Sequence, residues 1–262
     1  MNRSSVLLLS VLLTAGLVTA GCAEDAEGDA ATTPSSASPS TTTSSAATSP
    51  SDTALPPAAA AMEPCPGDGR TFEISKGETT FSGIRFGRGP DVAVLSHQVR
   101  SSECELVAPA VRLAEEGFQA VTWTADPFPS AEGLEQIVKI ERRRGAKRIV
   151  LAGASKGATM SLYLAAKLDV DAVVALSPND FHKYGDDLMP RVARYKGPVM
   201  VVSTELDTSI AHVPDQVAET HDGREHIELI MGNGDHGREL VQTRDAPVTE
   251  EIVRFLRPLL ER

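Results

Sequence analysis

Arg148-Ile149-Val150-Leu151-Ala152-Gly153-Ala154-Ser155-Lys156-Gly157-Ala158 is the stretch that decides the fold. Ile149 to Ala152 is a short uninterrupted apolar run, the pattern of a strand buried on both faces. The residues from Gly157 to Leu168 are rich in Ala and Leu and read as a helix. Between them stands Gly153-Ala154-Ser155-Lys156-Gly157, a match to G-x-S-x-G. The match alone is weak, since chance supplies roughly one in ten chains of this length. Its setting is specific: a strand, a glycine-flanked turn and a helix hold a serine up at the carboxyl edge of a sheet.

Outward from this point the pattern keeps alternating. Phe72–Ser75 and Thr80–Phe86 read as strands around a turn at Gly77, and Val92–Ser96 as a buried strand. Glu103–Glu116 carries a helical apolar face that Gly117 stops. Gln119–Trp123 is a strand and Ala131–Arg144 an amphipathic helix ended by Gly145. After the central unit come strands at Asp171–Leu176, Val199–Ser203 and His226–Met231. A terminal helix follows, with Thr249 as its expected cap and Glu250 and Glu251 in its first turn. The spacing predicts an α/β fold with a mostly parallel central sheet and helices on both faces. A nucleotide-binding fold has the same order of elements, so the motifs must separate the two.

A serine hydroxyl attacks a carbonyl only when a base takes its proton and a carboxylate orients that base. On such a turn the partners come later, in the order Ser, Asp or Glu, then His. Thr204-Glu205-Leu206-Asp207-Thr208 follows the strand at Val199, and Gly232-Asn233-Gly234-Asp235-His236-Gly237 follows the strand at His226. Ser155 is the expected nucleophile, Asp207 the orienting acid and His236 the general base, with Glu205 as the fallback acid. An Asp in a post-strand loop is ordinarily a turn residue and a lone loop His is ordinarily solvated. Three such residues in the required order are a different matter. Asp235 is read as shaping the turn. His182, His212, His221 and His226 lie away from the expected positions and lack ligand spacing, so no metal and no cofactor is expected.

The anionic tetrahedral intermediate requires preorganised donors. The backbone N–H of Lys156, next after the nucleophile, is one. The loop Ser96-His97-Gln98-Val99-Arg100 is expected to supply the other. That run, followed by Cys104 and an amphipathic helix, resembles the oxyanion segment of small bacterial α/β-hydrolases related to dienelactone hydrolase. The resemblance spans about Cys65 to Arg262 and includes Ser177-Pro178 and the closing His236-Gly237. It implies the α/β-hydrolase fold and a Ser–Asp–His hydrolase, and it says little of the substrate. Such proteins have His-Gly where this chain has His97-Gln98, which leaves open whether Gln98 or Val99 donates. His97 is expected to brace the loop.

The first sixty residues read differently. Arg3 precedes an apolar stretch, Val6 to Val18, too short to span a bilayer as a mature helix. Val18-Thr19-Ala20-Gly21-Cys22 resembles a bacterial lipobox, although Thr19 stands where Leu is commonest. The expected organisation is a lipoprotein signal peptide at 1–21, a tether at 22–61 and a hydrolase domain at 62–262. Lipidated Cys22 would anchor the chain at the outer face of the cell membrane; an ordinary secretory signal is the alternative. The tether is Ser, Thr, Ala and Pro with almost no large apolar residue, so it cannot bury enough surface to fold. As a flexible coil it reaches roughly 35 Å. Lipidation of Cys22 would leave Cys65 and Cys104 to pair as a disulfide outside the reducing cytosol, the alternative being two buried thiols. With 36 acidic against 25 basic residues and a net charge of −11, nucleic acid and anionic headgroups are poor partners. Arg142-Arg143-Arg144 reads as a solvated helix end.

About twenty residues separate Ser177 from Val199, too few for a large lid domain, and aromatic residues make up only 4 %. An open site of this kind suits a small or soluble ester or thioester. The expectation is therefore a carboxylesterase or thioesterase working through an acyl-enzyme. Its alternatives are an envelope acyltransferase with the same triad and a non-catalytic binding lipoprotein on a hydrolase scaffold.

Overall fold

The run around Val150 becomes one of the inner strands of an eight-stranded sheet. The computed structural model describes residues 65–126, 130–180, 185–230, 234–243 and 245–262. The signal peptide at 1–21, Cys22, the tether at 22–61 and His182 lie outside the described residues. The strands are β1 (Arg70–Lys76), β2 (Thr79–Phe86), β3 (Asp91–Ser96), β4 (Gln119–Asp126), β5 (Arg148–Ala154), β6 (Ala172–Leu176), β7 (Val199–Thr204) and β8 (Glu225–Ile230). Their spatial order is β1-β2-β4-β3-β5-β6-β7-β8. Only β2 opposes its neighbours, so the sheet is mostly parallel.

Among the described residues six α-helices accompany the strands: α1 (Val107–Glu115), α2 (Ala131–Arg143), α3 (Lys156–Leu168), α4 (Gly185–Val192), α5 (Val213–Thr220) and α6 (Pro247–Leu260). The two-residue period of a strand divides β5 between two cores. Ile149 and Leu151 face Leu134 and Ile137 of α2 and Met160 and Leu164 of α3. Val150 and Ala152 face Leu113 of α1 and Leu256 of α6. Each fully buried Leu or Ile of these layers stabilises the fold by about 1.5–3 kcal/mol. From β3 the chain steps first to β4 on one side and later to β5 on the other. That reversal opens a crevice at the carboxyl ends of β3 and β5, where parallel sheets hold ligands.

Two helix starts differ from the sequence expectation. α1 begins at Val107 rather than Glu103. Pro109 explains it: a helix from Glu103 would bury its missing N–H and ring clash mid-helix, whereas a start at Val107 places Pro109 in the first turn. Residues 102–107 instead form tight turns, with Glu105 N–H to Ser102 O at 3.1 Å and Val107 N–H to Cys104 O at 3.3 Å. α6 begins at Pro247, so Thr249 lies inside the helix and Ala246 takes the cap position. Proline is preorganised for the first helical residue, and it starts the helix three residues early. Cys65 and Cys104 form a disulfide with a Cα–Cα distance of 5.1 Å. It pins the start of the domain to the turn before α1, not to the helix itself.

Candidate active site

Ser155 sits between β5 and α3 at φ 50°, ψ −114°, a backbone conformation that a residue with a Cβ rarely adopts. The neighbouring packing imposes it. A Cβ on Gly153 would lie 2.4 Å from the Gly157 carbonyl carbon, and one on Gly157 would lie 2.0 Å from Ser96 O. Only glycines at both positions let strand and helix close on each other and on the end of β3. Ser155 N–H donates to Leu176 O at 2.8 Å, which hooks the turn to β6. The residue is buried, with 6 % exposure, and its Oγ accepts a hydrogen bond from Asn179 Nδ2 at 3.3 Å.

The residues expected as acid and base follow β7 and β8. His236 Nδ1 lies 2.6 Å from Asp207 Oδ2. A carboxylate only accepts, so Nδ1 carries the proton and Nε2 is left as the acceptor in the neutral ring. Asp207 is held by its own turn: its N–H donates to Thr204 O at 3.2 Å, and Ser209 Oγ donates to Oδ1 at 3.2 Å. Glu205, the fallback acid, is exposed. His236 opens a 3-10 turn, Gly237–Val241, and Glu239 Oε2 accepts its N–H at 3.0 Å. Thr204 Oγ1 donates to Asp235 O at 3.1 Å, so Asp235 shapes the loop through its backbone. The loop is carried onto the turn of Ser155 by Gly237, whose N–H donates to Ser177 Oγ at 2.9 Å. A Cβ on Gly237 would stand 3.4 Å from Ser155 N.

No protein-family model and no curated protein matches the chain. Solved structures do. Est1E from Butyrivibrio proteoclasticus is similar over 74 % of this chain and 100 % of its own, with 16 % identity and a TM-score of 0.61. A thioesterase domain from the curacin biosynthetic pathway is similar over 71 % of this chain and 100 % of its own, with 10 % identity and a TM-score of 0.58. Dienelactone hydrolase from Anabaena variabilis is similar over 74 % and 97 %, with 14 % identity and a TM-score of 0.51. At these identities the likeness is one of backbone. The fold is that of the α/β-hydrolases.

Within this α/β-hydrolase fold, the loop after β3 departs from the expected picture. Gln98 N–H donates to Glu105 Oε1 at 3.1 Å, so that N–H is already engaged. The Gln98 side chain crosses to the histidine loop, where its Oε1 accepts Arg238 N–H at 3.4 Å. A Cβ on Gly237 would come within 2.6 Å of that oxygen. Gln98 thus ties the β3 exit to the β8 exit directly across the turn of Ser155. His97 is buried and braces the loop from below. Its Nδ1–H donates to Gln98 O at 2.6 Å and its Nε2 faces Thr124 Oγ1 at 3.0 Å. Burial holds its pKa below the usual 6.5 against the raising pull of the Gln98 carbonyl, Glu105 and Glu103. The ring is therefore neutral near pH 7, with Nε2 accepting from the threonine hydroxyl.

Sequence reasoning missed Asn179, Thr159, Glu105 and the reach of Gln98. Asn179 carried a usable signal, since Ser177-Pro178-Asn179-Asp180 leaves the strand beside β5 at the same sheet edge. His212, read as away from the expected positions, pairs through Nε2 with Oδ2 of Asp180 at 2.9 Å, the residue next after Asn179. Among the described residues no cluster of three His, Cys, Asp or Glu is placed to hold a metal ion.

Proposed function

We propose that the chain is an exported serine hydrolase that cleaves a small or soluble carboxylic ester or thioester through an acyl-enzyme on Ser155. The 2.6 Å bond between His236 and Asp207, on a loop packed against the turn of Ser155, carries this reading. With Nδ1–H on Asp207, Nε2 takes the Ser155 proton as Oγ attacks the carbonyl carbon. Asp207 stays ionised and stabilises the imidazolium that forms. The oxyanion then accepts the N–H of Lys156, the first residue of α3, and the N–H of Val99. Val99 is the β3-loop donor because the Gln98 N–H is committed to Glu105. The imidazolium returns its proton to the leaving alcohol or thiol, and water activated by His236 releases the acid.

Small, partly apolar substrates fit the surroundings. Val99 and Leu206 are the exposed large apolar residues among those described, at 47 % and 59 %, and each adjoins a site residue. Membrane attachment is proposed through lipid on Cys22 alone, with the tether at 22–61 placing the domain beyond the outer face of the membrane. Labelling with a serine-reactive fluorophosphonate tests the enzyme reading: wild type should label and Ser155→Ala should not. Metabolic labelling with a fatty acid tests the anchor: Cys22→Ser should lose the lipid and be released into the medium.

A further inference from the structure

Ser177 leaves β6 with φ 49°, in the left-handed region that glycine occupies freely and a residue with a Cβ does not. It is fully buried, and its N–H donates to Val202 O of β7 at 2.7 Å. Were the bend alone required, glycine would make it without strain. A hydroxyl kept on a strained backbone implies a role for the hydroxyl. Its Oγ accepts the N–H of Gly237 at 2.9 Å, and Gly237 is the residue next after His236.

The peptide on which that hydroxyl stands is held at both ends. Its carbonyl, Leu176 O, accepts the N–H of Ser155 at 2.8 Å, while its N–H is the one bound to β7. The turn of Ser155 and the loop of His236 are therefore both attached to Ser177 or to the peptide bond that precedes it. Three consecutive N–H groups, at 236–238, could hold that loop. The N–H of His236 is taken by Glu239 of its own turn, which ties it to nothing beyond the loop. The N–H of Arg238 reaches Gln98 Oε1 at 3.4 Å, a longer and exposed contact. The bond from Gly237 to Ser177 is the buried one, and its loss would leave a buried N–H without a partner. It is the firmest link between the loop and the turn of Ser155.

We propose that Ser177 is a positioning residue for the general base: its hydroxyl, on a peptide that also holds the turn of Ser155, fixes the distance at which His236 meets Ser155 Oγ. Ser177 touches no substrate atom and acts only through His236. This rests on the reading of Ser155, Asp207 and His236 as a triad.

The test follows hydrolysis of p-nitrophenyl acetate by Ser177→Ala and Ser177→Gly, each made in the wild-type chain and in His236→Ala. Fluorophosphonate labelling of wild type checks the underlying triad reading separately. Both substitutions remove the acceptor, but glycine also relieves the strained φ and supplies a folded variant if alanine does not. Each should lower kcat roughly 10- to 100-fold, the cost of a displaced reacting group, with KM unchanged. In His236→Ala the same substitutions should cost nothing further, because the group they position is gone. A folded Ser177 variant that keeps the wild-type kcat overturns the proposal. So does a loss that persists undiminished in His236→Ala, which would place the effect of Ser177 on the turn of Ser155 rather than on the base. Wild type that fails to label overturns the triad reading instead, and this one with it.

Discussion

A serine at φ 50° stays there because the residues around it leave no alternative. Gly157 meets Ser96 O so closely that even a methyl group has nowhere to go. Gly157→Ala should therefore push α3 away from β3, at a cost of about 1–3 kcal/mol for overpacking, together with loss of the oxyanion site. Urea unfolding and esterase rates measured side by side check both effects. Glu105 offers a subtler case, since it touches Gln98 N–H and no part of the triad. Glu105→Leu should slow turnover roughly tenfold by freeing the loop, less than the 10²–10³ for losing a donor outright. Glu105→Gln keeps an acceptor and should retain most of the rate. The strained turn at Ser155, its glycines and the pairing of Asp207 with His236 follow from local sequence patterns around strand ends. The reach of Gln98 was not legible there: its partner Arg238 is 140 positions away, and no periodicity carries such a contact.

At the scale of elements, the strands were read to within a few residues because buried apolar runs announce themselves. The start of α1 was misread because an apolar stripe continues through the turns before Pro109, and the stripe outweighed the proline. α4 and α5, eight residues each, are too short to show a clear period. The Arg cluster was also more than a solvated helix end: Arg142 Nη2 donates to Leu168 O at 2.6 Å and Asp169 O at 2.8 Å, closing the end of α3. Between β2 and α2 lies a buried ion pair, Arg85 Nη2 to Glu141 Oε1 at 2.6 Å, with Gln119 Nε2 on the second carboxylate oxygen at 2.9 Å. Glu141→Ala leaves Arg85 charged and uncompensated, and chemical denaturation should register a loss of about 3–5 kcal/mol. His97, between β3 and β4, sets a pH dependence. Its folded pKa is depressed, so the unfolded chain takes up the proton first as pH falls. Its share of stability is complete above about pH 6.5 and declines below it, levelling off beneath the folded value. The difference in stability between wild type and His97→Gln, followed from pH 7.5 to 5, should shrink on acidification. A constant difference would contradict the neutral buried ring.

The described part of the domain is a sheet with both faces covered and every candidate catalytic group at one end of its strands. Asp207 and His236 leave β7 and β8, and Ser155 leaves β5; the sheet, rather than the loops, fixes their spacing. The Cys65–Cys104 bridge spans 39 positions and ends one residue before Glu105. Closing a loop of that length restricts the unfolded chain by about 3–4 kcal/mol. Reduction should lower the melting temperature, and it should slow turnover even at temperatures where the domain remains folded, through the Glu105–Gln98 contact. The reactivity of Ser155 is read out by covalent labelling. Purified chain is treated with a fluorophosphonate and the adduct is located by peptide mass spectrometry, with Ser155→Ala and Asp207→Asn beside it. The account predicts one adduct, on Ser155, absent from Ser155→Ala and formed orders of magnitude more slowly in Asp207→Asn. Folded wild type that takes up no label, or label on another residue, would contradict it.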